Sequence, residues 1–148
     1  WARAERIYAV DERFLHPDPH PSRPAWCAAR CEATAARLDA LPADTPRVLV
    51  NHWPLRYDLV RLGRVPRYSP WCGTRRSDDW HTRWPVKVVV TGHLHMRATD
   101  WKDGVRFEEV SLGYPRHWKQ AKGATSYLRQ ILPGPPPPDS DTGPIWRF

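Results

Sequence analysis

Val86-Lys87-Val88-Val89-Val90-Thr91-Gly92-His93-Leu94-His95 is the stretch on which the fold turns. Residues 86–91 are β-branched except for Lys87, and both faces of the run are largely apolar. This predicts a central strand covered on both sides. In an extended segment, residues two apart point the same way. His93 and His95 are therefore expected to face one site together, with Leu94 turned back to the core. Gly92 would allow a close backbone approach or an unusual φ as the strand leaves the sheet.

Working outward, Arg47-Val48-Leu49-Val50-Asn51 is a second short apolar run, followed at once by His52-Trp53-Pro54-Leu55. Ligands gather at the carboxyl ends of strands in open α/β sheets, so two neighbouring strands ending this way would bring His52, His93 and His95 together. Neutral imidazoles suit zinc, iron, manganese or nickel, and two such ions sit about 3.5–4 Å apart in two-metal sites. Downstream, Met96–Trp101 and Val105–Ser111 flank Lys102-Asp103-Gly104, and Asp-Gly is a strong hairpin signal. Upstream, 25–41 carries Cys27, Cys31, Ala35 and Leu38 at helical spacing and stops at Pro42. Ile7–Leu15 is a short amphipathic stretch. Residues 56–62 suit one or two helical turns, and 63–80 a long loop with a short helix near 78–83. The run from 133 to 148, with Pro135–Pro138, predicts a disordered or extended tail.

The chain has 148 residues, enough for a real core. No window approaches the roughly 20 apolar residues needed to cross a bilayer, so no membrane is expected. The first residue is Trp1 and the only methionine is Met96, so the chain is expected to be part of a longer product whose targeting signal is not visible here. Net charge is +7, with arginine far outnumbering lysine. The basic residues are scattered, without a run of five, so nucleic acid is not an expected partner. Cys27, Cys31 and Cys72 are an odd count, which argues against a disulfide scaffold and for a reducing, cytoplasmic setting. Cys27 and Cys31 lie four apart, as packing residues or as parts of a metal site, and packing is the expectation.

Residues 88–95 and 48–55, with their 40-residue gap and the following hairpin, resemble the calcineurin-like metallophosphoesterase family over about 45–115. The Gly92-His93-Leu94-His95 loop is similar to that family's Gly-His-x-His signature, and Asn51-His52-Trp53-Pro54 to its preceding histidine and proline turn. The resemblance implies an α/β fold: the C-terminal half of a four-layer α-β-β-α sandwich over 1–132. It also implies a two-metal centre that hydrolyses phosphate mono- or diesters. His52 and His93 would bind one ion and His95 the other. The family's Asp-x-His, Gly-Asp and Gly-Asn-His motifs are absent from this chain, so no general acid is assigned. Asn51 lies in the later motif and does not replace the missing asparagine, and Asp11 lacks the Asp-x-His spacing. The implied site is thus partial, completed by a missing N-terminal half if that half exists as a separate segment. The chain alone is expected to be inactive. The alternative is a truncated, non-enzymatic relative serving as a structural or interaction module.

Other residues carry weaker signals. Arg56, four residues past His52, suits a phosphate contact, although a solvated position is the plainer reading. His16, His20, His81 and His117 read as surface or internally satisfied histidines. Trp53, Trp71, Trp80 and Trp84 divide between walls of a substrate pocket and core packing.

Overall fold

The computed structural model describes residues 1–139 and 143–147. Its helices are α1 (Asp11–Phe14), α2 (Arg23–Asp39) and α3 (Trp80–Arg83). Its strands are β1 (Arg47–Val50), β2 (Val86–Thr91), β3 (Arg97–Lys102), β4 (Val105–Val110) and β5 (Ile145–Trp146). Among the described residues the strands form one mixed sheet in the order β1-β2-β4-β3-β5. β2 pairs in parallel with both β1 and β4, and β3 runs antiparallel to β4 and β5.

The central place of β2 follows from its composition. Val88 and Val89 point to opposite faces and both have no solvent exposure. Fully burying each contributes about 1.5–3 kcal/mol. The hairpin forms where Asp-Gly requires it: Asp103 (φ 52°) and Gly104 (φ 74°) both adopt the left-handed conformation of a type I′ turn.

One face of the sheet is apolar. Leu55, Leu59, Trp80, Trp84, Val89 and Phe107 pack there. Helix α2 covers it with Cys31, Ala35 and Leu38, the i, i+4, i+7 stripe of its sequence. Ser22 caps α2 by accepting a hydrogen bond from the Ala25 amide (3.3 Å). At the other end of α2, Asp39 accepts from Arg83 (2.8 Å) and from the Trp84 indole (2.9 Å), tying the helix to α3.

The opposite face carries a buried carboxylate. Glu108 has no exposure and accepts from Thr99 Oγ1 (2.8 Å), Arg129 (2.9 and 3.1 Å) and Arg147 Nη1 (2.9 Å). Arg106, itself 3% exposed, lies 3.4 Å from it. Three arginines thus converge on one carboxylate, and one of them, Arg147, comes from the segment read as tail. That segment is without regular structure through 133–139. It then returns to the sheet as β5, with Ala98 opposite Trp146. Residues 140–142 and 148 of the expected tail lie outside the described residues.

Removing Glu108 would leave Arg106 charged and buried without a counter-ion. Glu108→Ala is expected to lower stability by about 3–5 kcal/mol, the cost of breaking a buried ion pair from one side. Urea unfolding measures it. A shift under about 1 kcal/mol, the scale of a surface pair, would mean that the cluster is not holding the segment down.

Candidate metal and phosphate-ester site

The parallel register of β1 and β2 continues past both strands. The Asn51 amide donates to Val90 O (2.9 Å), and the Gly92 amide to His52 O (3.0 Å). This brings the two histidine-bearing loops together at the carboxyl edge of the sheet. His93 Nδ1 and His52 Nε2 face each other at 3.1 Å, with ring centroids 5.0 Å apart. Trp53 packs edge-on to His52 (5.2 Å) and tilted against His93 (6.0 Å).

The loop from Gly92 to Met96 is bent rather than extended. The left-handed residue is His95 itself (φ 56°), and not Gly92. A Cβ on Gly92 would meet only Ser111 Cβ at 3.9 Å, an ordinary contact, so the expected need for glycine there does not hold. Leu94 turns into the core as expected, at 9% exposure. The kinked His95 lays its ring against Tyr114 (4.5 Å, perpendicular) and His117 (5.6 Å). His117, expected to be a surface or internally satisfied histidine, accepts from the Tyr114 amide (3.2 Å). The turn that places it depends on Gly113 (φ 78°), where a Cβ would lie 2.6 Å from His117 Nδ1.

Both signature histidines are held towards the neutral form, which is the form that ligates metals. Burial, and then the neighbouring His52, push His93 below the ordinary histidine range, while Asp11 pulls the other way. Burial, then His117, His52 and Arg116, do the same to His95. Asp11 does not supply the missing motif by spacing, yet the fold sets α1 beside His93. Sequence spacing gave no sign of this, because the approach depends on Glu12 accepting from Trp71 Nε1 (3.1 Å) and pairing with Arg23 (3.1 Å).

Glu109 is the positioning residue that sequence reasoning missed. It lies at the end of β4, 9% exposed, opposite Ala98 and Thr91. Ser111 Oγ donates to its Oε1 (2.7 Å), and the amides of Leu94 and Met96 lie close enough to favour its charge. The carboxylate therefore braces the backbone on either side of His95. Its Oε2 is buried without a hydrogen-bond partner among the described residues.

Arg56 is placed elsewhere. It pairs with Asp58 (2.9 Å) and Asp103 (3.3 Å) and reaches His81 Nε2 (3.0 Å), beside the β3–β4 turn. That turn precedes β4, so it lies at the end of the sheet where β2 begins, away from His93. The expected phosphate contact thus meets an arginine already engaged with carboxylates. Of the four tryptophans, Trp84 is core, Trp80 is core at the groove's floor, and Trp53 and Trp71 line the groove. This groove, about 680 Å³ in volume, runs between α2 and the open edge of β1.

Three imidazoles on two adjoining loops fit part of a metal pair's coordination. Among the described residues, no three His, Cys, Asp or Glu side chains gather as a complete metal site.

The proteins that this chain matches are phosphodiesterases. No family model matches the chain. A curated relative, the [acyl-carrier-protein] phosphodiesterase PptH of Mycobacterium tuberculosis, is 50% identical over 134 residues, which is 90% of this chain and 41% of the relative. The crystal structure of phosphopantetheinyl hydrolase (PptH) from Mycobacterium tuberculosis superposes with a TM-score of 0.81 at 49% identity, over 90% of this chain and 47% of that one. The chain spans less than half the length of the relatives it matches.

Glu109 supplies a pH test. Burial pushes its carboxyl up to about 7, against about 4.3 for an unfolded glutamate. The folded protein holds that proton more tightly, so the group's contribution is complete below about pH 4 and is lost as pH rises through about 7. Glu109→Gln cannot ionise. Relative to the parent in metal-free buffer, it is expected to gain more than about 1 kcal/mol between pH 5 and pH 8. Thermal melts of both proteins at each pH check this; an unchanging difference would count against a buried, proton-holding carboxyl.

Proposed function

We propose that this chain is the part of a metal-dependent phosphodiesterase that presents His52, His93 and His95 to a phosphate ester. The observation that carries this reading is the His52–His93 contact at 3.1 Å, made by loops from two parallel strands. The likeness to phosphodiesterases at half identity supports the same class. By analogy with those relatives, we propose a phosphopantetheine arm on a carrier protein as the ester, and a cytoplasmic setting, which suits three free thiols.

In this reading His52 and His93 hold one divalent ion and His95 the other, from manganese, iron, zinc or nickel. Such a pair, when bound, polarises the phosphate and lowers the pKa of a bound water. The protein's own part is positional. Glu109 and the Leu94 anchor fix the loop, Tyr114 and His117 fix the His95 ring, and Trp53 shields the His52–His93 pair from one side.

The remaining ligands and the general acid come from outside this chain in the same proposal. β1 is an open edge, with Val48 40% and Val50 76% exposed, and further strands would pair there. A four-layer sandwich, with this sheet as one layer, accounts for that edge. The incomplete ligand set also favours a second reading, a non-enzymatic module, in which the histidines carry no ion.

The discriminating experiment is His93→Ala in this chain together with any further sequence its gene encodes. Hydrolysis of bis-p-nitrophenyl phosphate with added manganese is expected to fall on the order of a hundredfold or more, as does metal affinity by calorimetry. His95→Ala is expected to match it, with His52→Ala close behind, whereas His81→Ala, beside Asp103, should keep most activity. Activity near the parent's in a folded His93→Ala protein would remove the assignment of this loop.

A further inference from the structure

We propose that Arg116, Lys119 and Lys122, on the turns that follow Tyr114, form a docking surface for an acidic carrier protein whose ester enters the histidine site. This rests on the phosphodiesterase reading above and adds the surface that would recognise the macromolecular part of the substrate.

No acidic residue occurs between Glu109 and Asp139, while Arg116, Lys119, Lys122 and Arg129 fall in that interval. Arg129 is used internally by Glu108. The other three are exposed, and none has a carboxylate partner among the described residues. Some basic residues elsewhere are compensated, Arg23 by Glu12, Arg76 by Glu32 and Arg83 by Asp39, while others such as Arg37 and Lys87 lie apart from the histidine loops on α2 and β2. What distinguishes Arg116, Lys119 and Lys122 is an acid-free interval that follows the histidine loops.

That place adjoins the site. Arg116 stacks on the Tyr114 ring (4.8 Å), which packs on His95. The segment is also held in shape. Arg97 on β3 donates to Leu112 O (3.1 Å) and His117 O (3.0 Å) and lies over Tyr127 (4.9 Å). Tyr127 in turn packs on Trp118 (5.8 Å), and its hydroxyl accepts from the Lys119 amide (2.9 Å). Charges fixed before association cost less ordering on binding, and a positive patch beside a site steers an acidic partner towards it. An acidic protein is favoured over a nucleic acid because the relative is named for an ester on a carrier protein. A polyanion remains an outcome of the test.

The probe is a fluorescein-labelled holo acyl carrier protein, with its phosphopantetheine arm in place, titrated with this chain and followed by anisotropy. Replacing Arg116, Lys119 and Lys122 with Gln together is expected to weaken binding at least about tenfold, and 0.5 M salt to weaken the parent similarly. A control carrying Arg37→Gln and Lys87→Gln, exposed basic positions on α2 and β2, should bind like the parent. If the triple variant loses its near-ultraviolet circular dichroism, Lys119→Gln with Lys122→Gln serves instead, and a loss of at least about threefold is then expected. The proposal is overturned if the folded variant binds as the parent does, if the carrier does not bind, or if an RNA oligonucleotide binds the same three residues more tightly. Hydrolysis of bis-p-nitrophenyl phosphate, measured separately, reports on the histidine site alone. Its failure alongside salt-sensitive, strip-dependent binding would retire the catalytic reading and leave the docking surface in place.

Discussion

The parallel pairing of β1 with β2 is the constraint on which the rest depends. Parallel strands end on the same side of a sheet, and here the hydrogen bonds of the pair run on past both strands, through Asn51 to Val90 and Gly92 to His52. Two loops that are 40 residues apart in the chain therefore leave the sheet side by side. Antiparallel pairing, or a register slip of one residue, would separate His52 from His93 or turn one of them away. Burial of Val88 and Val89 on opposite faces fixes that register, because any slip would bring Lys87 into the interior.

Strain at His95 is the counterpart of this order. A left-handed backbone at a residue with a β-carbon costs roughly 1–2 kcal/mol, and it persists where surrounding contacts over-determine it. Three supports do so here. Glu109 braces the backbone from beneath, Leu94 anchors it in the core, and Tyr114 with His117 receives the ring. The result is that His52 and His93 face each other while the His95 ring rests on Tyr114 and His117.

The second face of the sheet follows a different logic from the first. Where α2 covers an apolar surface, the opposite face buries Glu108 under arginines from β4, the 129–134 segment and the residue after β5. Such a cluster specifies position more than it adds stability, since desolvation offsets much of the Coulomb gain. Its effect is to hold the chain's later residues against β3 and β4. Those same strands support the segment bearing Arg116, Lys119 and Lys122, which leaves these three charges as the basic groups facing outward next to His95.

The sequence determined much of the framework: the central strand from its β-branched, two-faced apolar run, the hairpin from Asp103-Gly104, the helix within two residues at each end from its stripe and Pro42, and the His-bearing loops from their place after strands. Each is a local pattern whose physical cause lies within a few neighbouring residues. Only the tertiary structure decided the kink at His95, the engagement of Arg56 at the far end of the sheet, and the pairing of β5 with β3. It also brought Asp11, Glu109 and His117 to the histidines. These depend on contacts between residues tens of positions apart, and on competition for partners: Arg56 is drawn to Asp58 and Asp103, and Glu109 to the loop amides and Ser111. No spacing rule encodes such competition. It is settled only when the strands are paired and each charged group finds which partner lies within reach.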